Sequence, residues 1–188
     1  MKHLLLLVML CVTSACTSIR DPNTPIYLDS HSQYYLQAVP KALWGQATLQ
    51  KLLITSPEGK HELLLQTELH ATHINMVGLT SAGLVLFKLS WSANKGIKAN
   101  TNILAKGLDA QVMLAYYQLA NWPLAAIEAG LVDLHVRLLS TDGQTRNFFR
   151  SHELVFSVSH NQDYSLMTHY RDQYQIEIVT LQKSTLKN

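Results

Sequence analysis

Cysteine is nearly absent from this chain: Cys11 and Cys16 are the only two, and both fall at the very start of its 188 residues. The remainder can build neither a disulfide framework nor a thiolate zinc site, so a fold must rest on buried apolar surface. Charge is also scarce, at 15% of residues with a formal net charge of +2. No basic run and no interleaving of basic with aromatic residues occurs, so a nucleic-acid partner has no electrostatic support. Long hydrophobic runs are missing too. The apolar stretch Leu4–Val12 is far shorter than the roughly 20 residues a helix needs to cross a bilayer core. No internal repeat, low-complexity tract or Gly-rich phosphate loop is present. What the chain does have is a 47% hydrophobic content, which excludes a disordered polar chain.

The first residues combine a basic start at Lys2, the apolar stretch Leu4–Val12, and small residues Thr13, Ser14 and Ala15 directly before Cys16. That is the layout of a secretory signal. With cysteine at its end it resembles the lipobox of bacterial lipoproteins. The resemblance implies that residues 1–15 are a signal peptide and that the Cys16 thiol carries diacylglycerol, with a further acyl chain such as palmitate on the new amino terminus. Several chains, at about 0.8 kcal/mol per buried CH₂, anchor where a single chain does not. Thr17, where Asp would retain the protein at the inner membrane, implies the periplasmic face of the outer membrane. The stretch 16–37, with Asp21, Pro22, Asn23, Pro25, Ser30 and Ser32, reads as a lipidated terminus and linker. Residues 38–188 are then expected to form a single β-rich domain.

From Gln46 onward, short alternating segments separated by turn residues read as antiparallel strands. In Gln46–Ile54, Ala47, Leu49 and Leu53 share one face and Gln46, Thr48 and Gln50 the other. In His61–Leu69, Leu63, Leu65 and Leu69 oppose Glu62, Gln66 and Glu68. Thr72–Leu79, Gly83–Trp91 and Gly96–Thr101 follow. The period then changes. Asp109 is a natural N-cap, and Val112, Met113, Tyr116, Leu119 and Ala120 recur at three- and four-residue spacing, so a helix is predicted up to about Asn121, stopped by Pro123. A second short helix spans Pro123–Ala129, with Gly130 as its stop. Strands resume at Asp133–Leu139, Thr145–Phe149, Glu153–Ser159, Tyr164–Tyr170 and Tyr174–Lys183, with a turn at Thr141, Asp142 and Gly143. Strands, then one or two helices, then strands give a mainly β (α+β) fold, a curved antiparallel sheet with a helical insert.

The strand pair around Gly78-Leu79-Thr80-Ser81-Ala82-Gly83, the mid-chain helix ending in Asn121-Trp122-Pro123, and the lipobox-like Cys16 together resemble the LolA/LolB class of lipoprotein carriers and receptors. The resemblance is closer still to a family of uncharacterised Gram-negative outer-membrane lipoproteins associated with aryl-polyene gene clusters, and it covers roughly Leu43–Tyr170. It implies a half-open antiparallel β-barrel with a short helical lid inserted between two groups of strands. Such a barrel accepts acyl chains without nucleotide, metal or other cofactor. Where the LolB receptor carries a protruding leucine in a Gly-Pro-Leu-Gly turn, this chain offers Leu79 as the corresponding membrane-contact residue, without the proline.

Catalytic chemistry finds no purchase. His70 and His73 are the only close pair among the histidines, and no helical His-Glu-x-x-His accompanies them, so no metal site is expected. Ser81 lacks the Gly-x-Ser-x-Gly spacing and joins two strands. Carboxylates such as Glu62 and Glu68 alternate onto a solvent face. The informative group is Met113, Tyr116, Tyr117 and Trp122, for which two readings stay open: core packing of an amphipathic helix, or a lid over an apolar pocket. In the second reading Leu65, Met76, Leu86, Phe87 and Phe156 are the other cavity walls. Two functions follow. One is a non-enzymatic, anchored lipoprotein that binds an acyl chain, lipoprotein or polyene-lipid cargo for transfer or insertion. The other is an anchored adaptor with a filled core that acts through its surface on an envelope partner.

Overall fold

Tight turns between alternating segments fold the chain into hairpins, and the hairpins merge into one sheet. The computed structural model describes residues 16–105, 107–138 and 144–186. The expected signal segment 1–15 and the turn at Thr141, Asp142 and Gly143 lie outside the described residues. The elements are β1 (Cys16–Arg20), β2 (Ile26–Tyr27), β3 (Gln33–Tyr34), β4 (Gln46–Ser56), β5 (Gly59–Leu69), β6 (Ile74–Leu79), β7 (Val85–Ser92), β8 (Gly96–Thr101), α1 (Ala110–Asn121), α2 (Leu124–Gly130), β9 (Leu131–Val132), β10 (His135–Leu138), β11 (Thr145–Arg150), β12 (Glu153–Asn161), β13 (Tyr164–His169) and β14 (Tyr174–Thr185).

Eleven strands form one sheet in the order β1-β8-β7-β6-β5-β4-β14-β13-β12-β11-β10, and β2, β3 and β9 form a second, small one. Neighbours in the large sheet are antiparallel. Pairing of the last strand, β14, with β4 joins the C-terminal hairpins to the N-terminal ones. β1 and β10 are the two ends of the order and do not pair with each other, so the fold is a half-open antiparallel barrel. Gly96 (φ +70) sits where a Cβ would collide with the Arg20 carbonyl, so glycine there permits β1 to lie against the start of β8.

Alternation puts Leu63, Leu65, Met76, Phe87, Leu89, Phe156, Met167 and Ile176 in the core, all at 3% exposure or less. In β4 the phase is the reverse of the one expected. Gln50 and Leu52 are buried while Leu49 and Leu53 are half-buried on the outer face. Both faces of β4 carry leucines, so alternation within the strand does not choose between them. The inward Gln50 is tolerated because its amide donates to Thr180 Oγ1 at 3.3 Å on the paired strand.

Helix α1 lies within the concave face. Asp109 caps it by accepting from the N–H groups of Gln111 and Val112, and the chain turns out before Pro123. At its other end the Arg146 guanidinium donates to the Leu119 and Ala120 carbonyls at 3.0 and 2.8 Å, where the helix dipole favours a cation. Burial lowers the Arg146 pKa from its ordinary value. Nine of the twelve α1 residues are buried, which means the helix is packed on more than one side. The second side is supplied by the stretch expected to be a linker: Ile26 and Tyr34 are 1% and 0% exposed, and β2 and β3 belong to the small sheet. The residues from Ile26 on are therefore part of the packed structure and not a spacer.

Register brings several features to one end of the barrel. The β4–β5 turn follows Ser56, the β6–β7 turn follows Leu79, and Gln175 pairs with Thr55, so the β13–β14 turn lies there too. Cys16 pairs with Thr101, which pairs with Phe87, two positions along β7 from Val85.

Candidate functional site

At that end an open cleft of about 740 Å³ lies between the β4–β5 turn, the residues leading into α1, and the start of β14. Its apolar walls are Leu28, Ile54, Leu108, Val112, Met113, Tyr116 and Ile176. Glu58, His61, Asp109 and Asp172 also line it. Apolar walls with a few polar groups and several hundred Å³ of space are the usual make-up of a small-molecule site.

The innermost wall is formed by Met113, Tyr116 and Ile176, which also border a void of about 10 Å³ under α1. That void is at the lower limit for a single water and holds no hydrocarbon chain. Among the described residues the space under α1 is therefore filled, and the larger space beside it is at the mouth. Of the residues expected as cavity walls, Met113 and Tyr116 line the cleft, while Leu65 and Tyr117 touch only the small void. Leu86, Phe87, Trp122 and Phe156 border neither, and are core residues at 5% exposure or less. Phe148 stacks on Phe156 with ring centroids 4.1 Å apart, and the Phe87 ring covers Gly78, where a Cβ would meet it. Met76 is likewise fully buried. Leu79 is the last residue of β6 and is half-buried. Exposed apolar residues at this end include its neighbours across the turn, Leu84 (57%) and Val85 (38%), Ile103 (91%) just after β8, and Tyr170 (49%) in the β13–β14 turn.

Hydrogen bonds hold the cleft's back wall. Tyr116 donates to the Leu28 carbonyl at 3.1 Å, and its oxygen then accepts from the Tyr174 hydroxyl. Burial pushes the pKa of both phenols up, so both remain donors. Behind Leu28, the Asp29 carboxylate is enclosed and accepts from the N–H groups of His31 and Ser32, the Ser32 hydroxyl and the Arg150 guanidinium. Burial raises the Asp29 pKa, but the hydrogen bonds and the Arg150 charge outweigh it and the net shift is downward. Ser32 Oγ also accepts from Arg150. His169, 1% exposed, stacks on Tyr174 at 4.9 Å and places Nε2 3.7 Å from Asp29. Burial lowers the His169 pKa despite the nearby Asp172 and Asp29 carboxylates. Its Nδ1 accepts from the Asp172 N–H at 3.1 Å, so the neutral ring carries its proton on Nε2.

Gln118 does comparable work on α1. Its carbonyl accepts from the Tyr34 hydroxyl at 3.1 Å and the Gln37 N–H at 2.8 Å, and its amide donates to the Gln37 carbonyl at 3.0 Å. The Trp122 indole donates to the Ala38 carbonyl at 3.1 Å. The sequence reading missed Leu28, Asp29, Gln118 and His169, because each acts on a partner more than 80 positions away or on a loop with no periodic signal. Ile176 alternates with Gln175 and Glu177, and that pattern was the one usable sign that it faces inward.

Residues 47–182 match the model of the family described as "Protein of unknown function (DUF3261)". No curated protein matches the chain. Among solved structures, one similar chain is described as a "putative outer membrane lipoprotein-sorting protein domain" from Vibrio parahaemolyticus. The two are 8% identical with a TM-score of 0.41, over 76% of this chain and 86% of that one.

Proposed function

The chain belongs to the DUF3261 family, and from that premise we propose that it is an outer-membrane lipoprotein, anchored through acylated Cys16, that holds an acyl chain in the cleft at the barrel mouth. The observation that carries this reading is a coincidence of place. The apolar cleft of about 740 Å³, the exposed Leu84, Val85 and Ile103, and Cys16 all lie at one end of the sheet. An anchor at Cys16 turns that end toward the bilayer, so a chain leaving the membrane meets the cleft without crossing water. The apolar rim, centred on Leu84 and Ile103 in place of Leu79, rests in the interface.

Affinity comes from apolar area removed from water, at roughly 25 cal/mol per Å², so selectivity among chains is low. The resemblance to lipoprotein carriers and to the lipoproteins associated with aryl-polyene clusters makes an acyl or polyenyl lipid the cargo class. The filled interior favours the second reading, an anchored adaptor that acts through its surface.

Uptake of a fluorescent fatty acid separates the two readings. Wild type binds it, and Met113→Trp, which fills the inner wall of the cleft, reduces binding at least tenfold. Absence of uptake by wild type, together with no lipid retained after gentle extraction, refutes the carrier and leaves the adaptor. Cys16→Ser should move the protein into the soluble periplasmic fraction, and persistence in the membrane refutes the anchor.

A further inference from the structure

A second groove, of about 380 Å³, lies across β5 to β8 away from the cleft. Its polar lining is Gln66, Glu68, Asn75, Lys88, Ser90, Lys98 and Asn100. Val77 contributes the apolar part of the outer surface. Lys88 pairs with Asn100 and Ser90 with Lys98, so the two lysines are diagonal neighbours on adjacent strands. Diagonal neighbours of this kind are about 7–8 Å apart, within reach of long side chains, so both ammonium groups can approach one anion. Among the described residues neither lysine takes part in an ion pair. The one carboxylate in the lining, Glu68, accepts from the Asn75 amide at 3.4 Å and lies 3.5 Å from His70 Nε2, on the side of the groove away from the lysines.

The groove is also close to the anchor. Thr17 pairs with Asn100, and Asn100 with Lys88. The residue after Cys16 is thus two strands from Lys88, or about 10 Å at the usual strand spacing. Along β7, the exposed Val85 is three positions from Lys88 toward the rim, again about 10 Å. With the rim in the interface, a lysine side chain at that height reaches the phosphate layer.

We propose that this groove binds the headgroup phosphate of an anionic phospholipid in the membrane that carries the Cys16 anchor. The inference rests on the anchored reading above and adds a headgroup preference to it. Lys88 and Lys98 face the phosphate, while Asn100, Ser90 and Gln66 offer hydrogen bonds to a glycerol headgroup. Each lysine near an anionic surface contributes about fivefold in affinity, so the pair contributes about thirtyfold.

The test uses the full acylated protein in nanodiscs of equimolar phosphatidylglycerol and phosphatidylcholine, with the lipids it retains on release counted by native mass spectrometry. Wild type is expected to retain phosphatidylglycerol in large excess, and Lys88→Gln with Lys98→Gln should bring the ratio close to one. Equal retention by wild type, or a preference that survives the double substitution, overturns the proposal. Displacement of the retained lipid by soluble glycerol phosphate also overturns it, because the site then reads free phosphate. Met113→Trp separates the two readings. It should lower fatty-acid uptake at least tenfold and leave the headgroup preference unchanged, and loss of that preference in this variant overturns an independent groove.

Discussion

Replacing Gln118 by leucine, which is close in size and apolar, should cost more than its surroundings suggest. Gln118 is fully buried and makes three hydrogen bonds to the segment that covers α1. Leucine leaves the Tyr34 hydroxyl, itself 0% exposed, without an acceptor. A buried donor stranded in this way costs about 1–3 kcal/mol. The Gln37 N–H loses its acceptor as well, at about 1 kcal/mol for a half-buried group. The Gln37 carbonyl keeps a long contact from the Trp122 indole at 3.4 Å, so its loss is smaller. Leucine regains part of this through its apolar surface. The expected net loss is about 3 kcal/mol, read as a lower urea midpoint at unchanged m. Tyr34→Phe removes one bond without stranding a donor and should cost about 1 kcal/mol. In the double variant the two effects should fall short of additivity by about 1 kcal/mol or more. A loss below about 0.5 kcal/mol for Gln118→Leu, or strict additivity, refutes the claim that this amide holds the N-terminal segment on the helix.

Gly78→Ala sets a methyl group against the Phe87 ring, and overpacking of this kind costs about 1–3 kcal/mol. Its melting temperature should fall, and Phe87→Leu in the same chain should restore part of the loss; an unchanged melting temperature contradicts the packing described. Acidification should destabilise the fold in two stages. Burial lowers the pKa of His169 and of His160 from the ordinary 6.5, with Arg146 adding to the effect at His160. The unfolded chain therefore gains protons below pH 6.5 that the folded chain refuses, so stability declines as pH falls from 6.5 toward the folded values. Asp29 has a folded pKa below 3.8, so its contribution is intact at pH 5 and is lost only as pH drops through that lower value. Urea midpoints from pH 7 to pH 3 check both stages. His169→Phe should flatten the upper one, and an unaltered slope in that variant shows that His169 does not titrate with unfolding.

Most of the segmentation was legible because it is a local property. Polar turns between alternating segments marked the hairpins from β4 to β8 and from β11 to β14, Asp109 announced the start of α1, and Pro123 its end. The change from period two to period 3.6 needed nothing beyond neighbouring residues. Three features depended on distant parts of the chain. The face of β4 that points inward was set by what α1 and β14 place against it, since leucines on both faces leave the alternation without a phase. The strands at Ile26–Tyr27 and Gln33–Tyr34 are too short for any pattern, and exist because their backbones find partners and their side chains close over a helix that is buried on several sides. The position of the open space was likewise a tertiary result. An amphipathic stripe of Met113, Tyr116 and Tyr117 is compatible with a hollow or a solid barrel. Among the described residues, these side chains border a void of only about 10 Å³ under α1, and the larger space beside Met113 and Tyr116 is the cleft at the mouth.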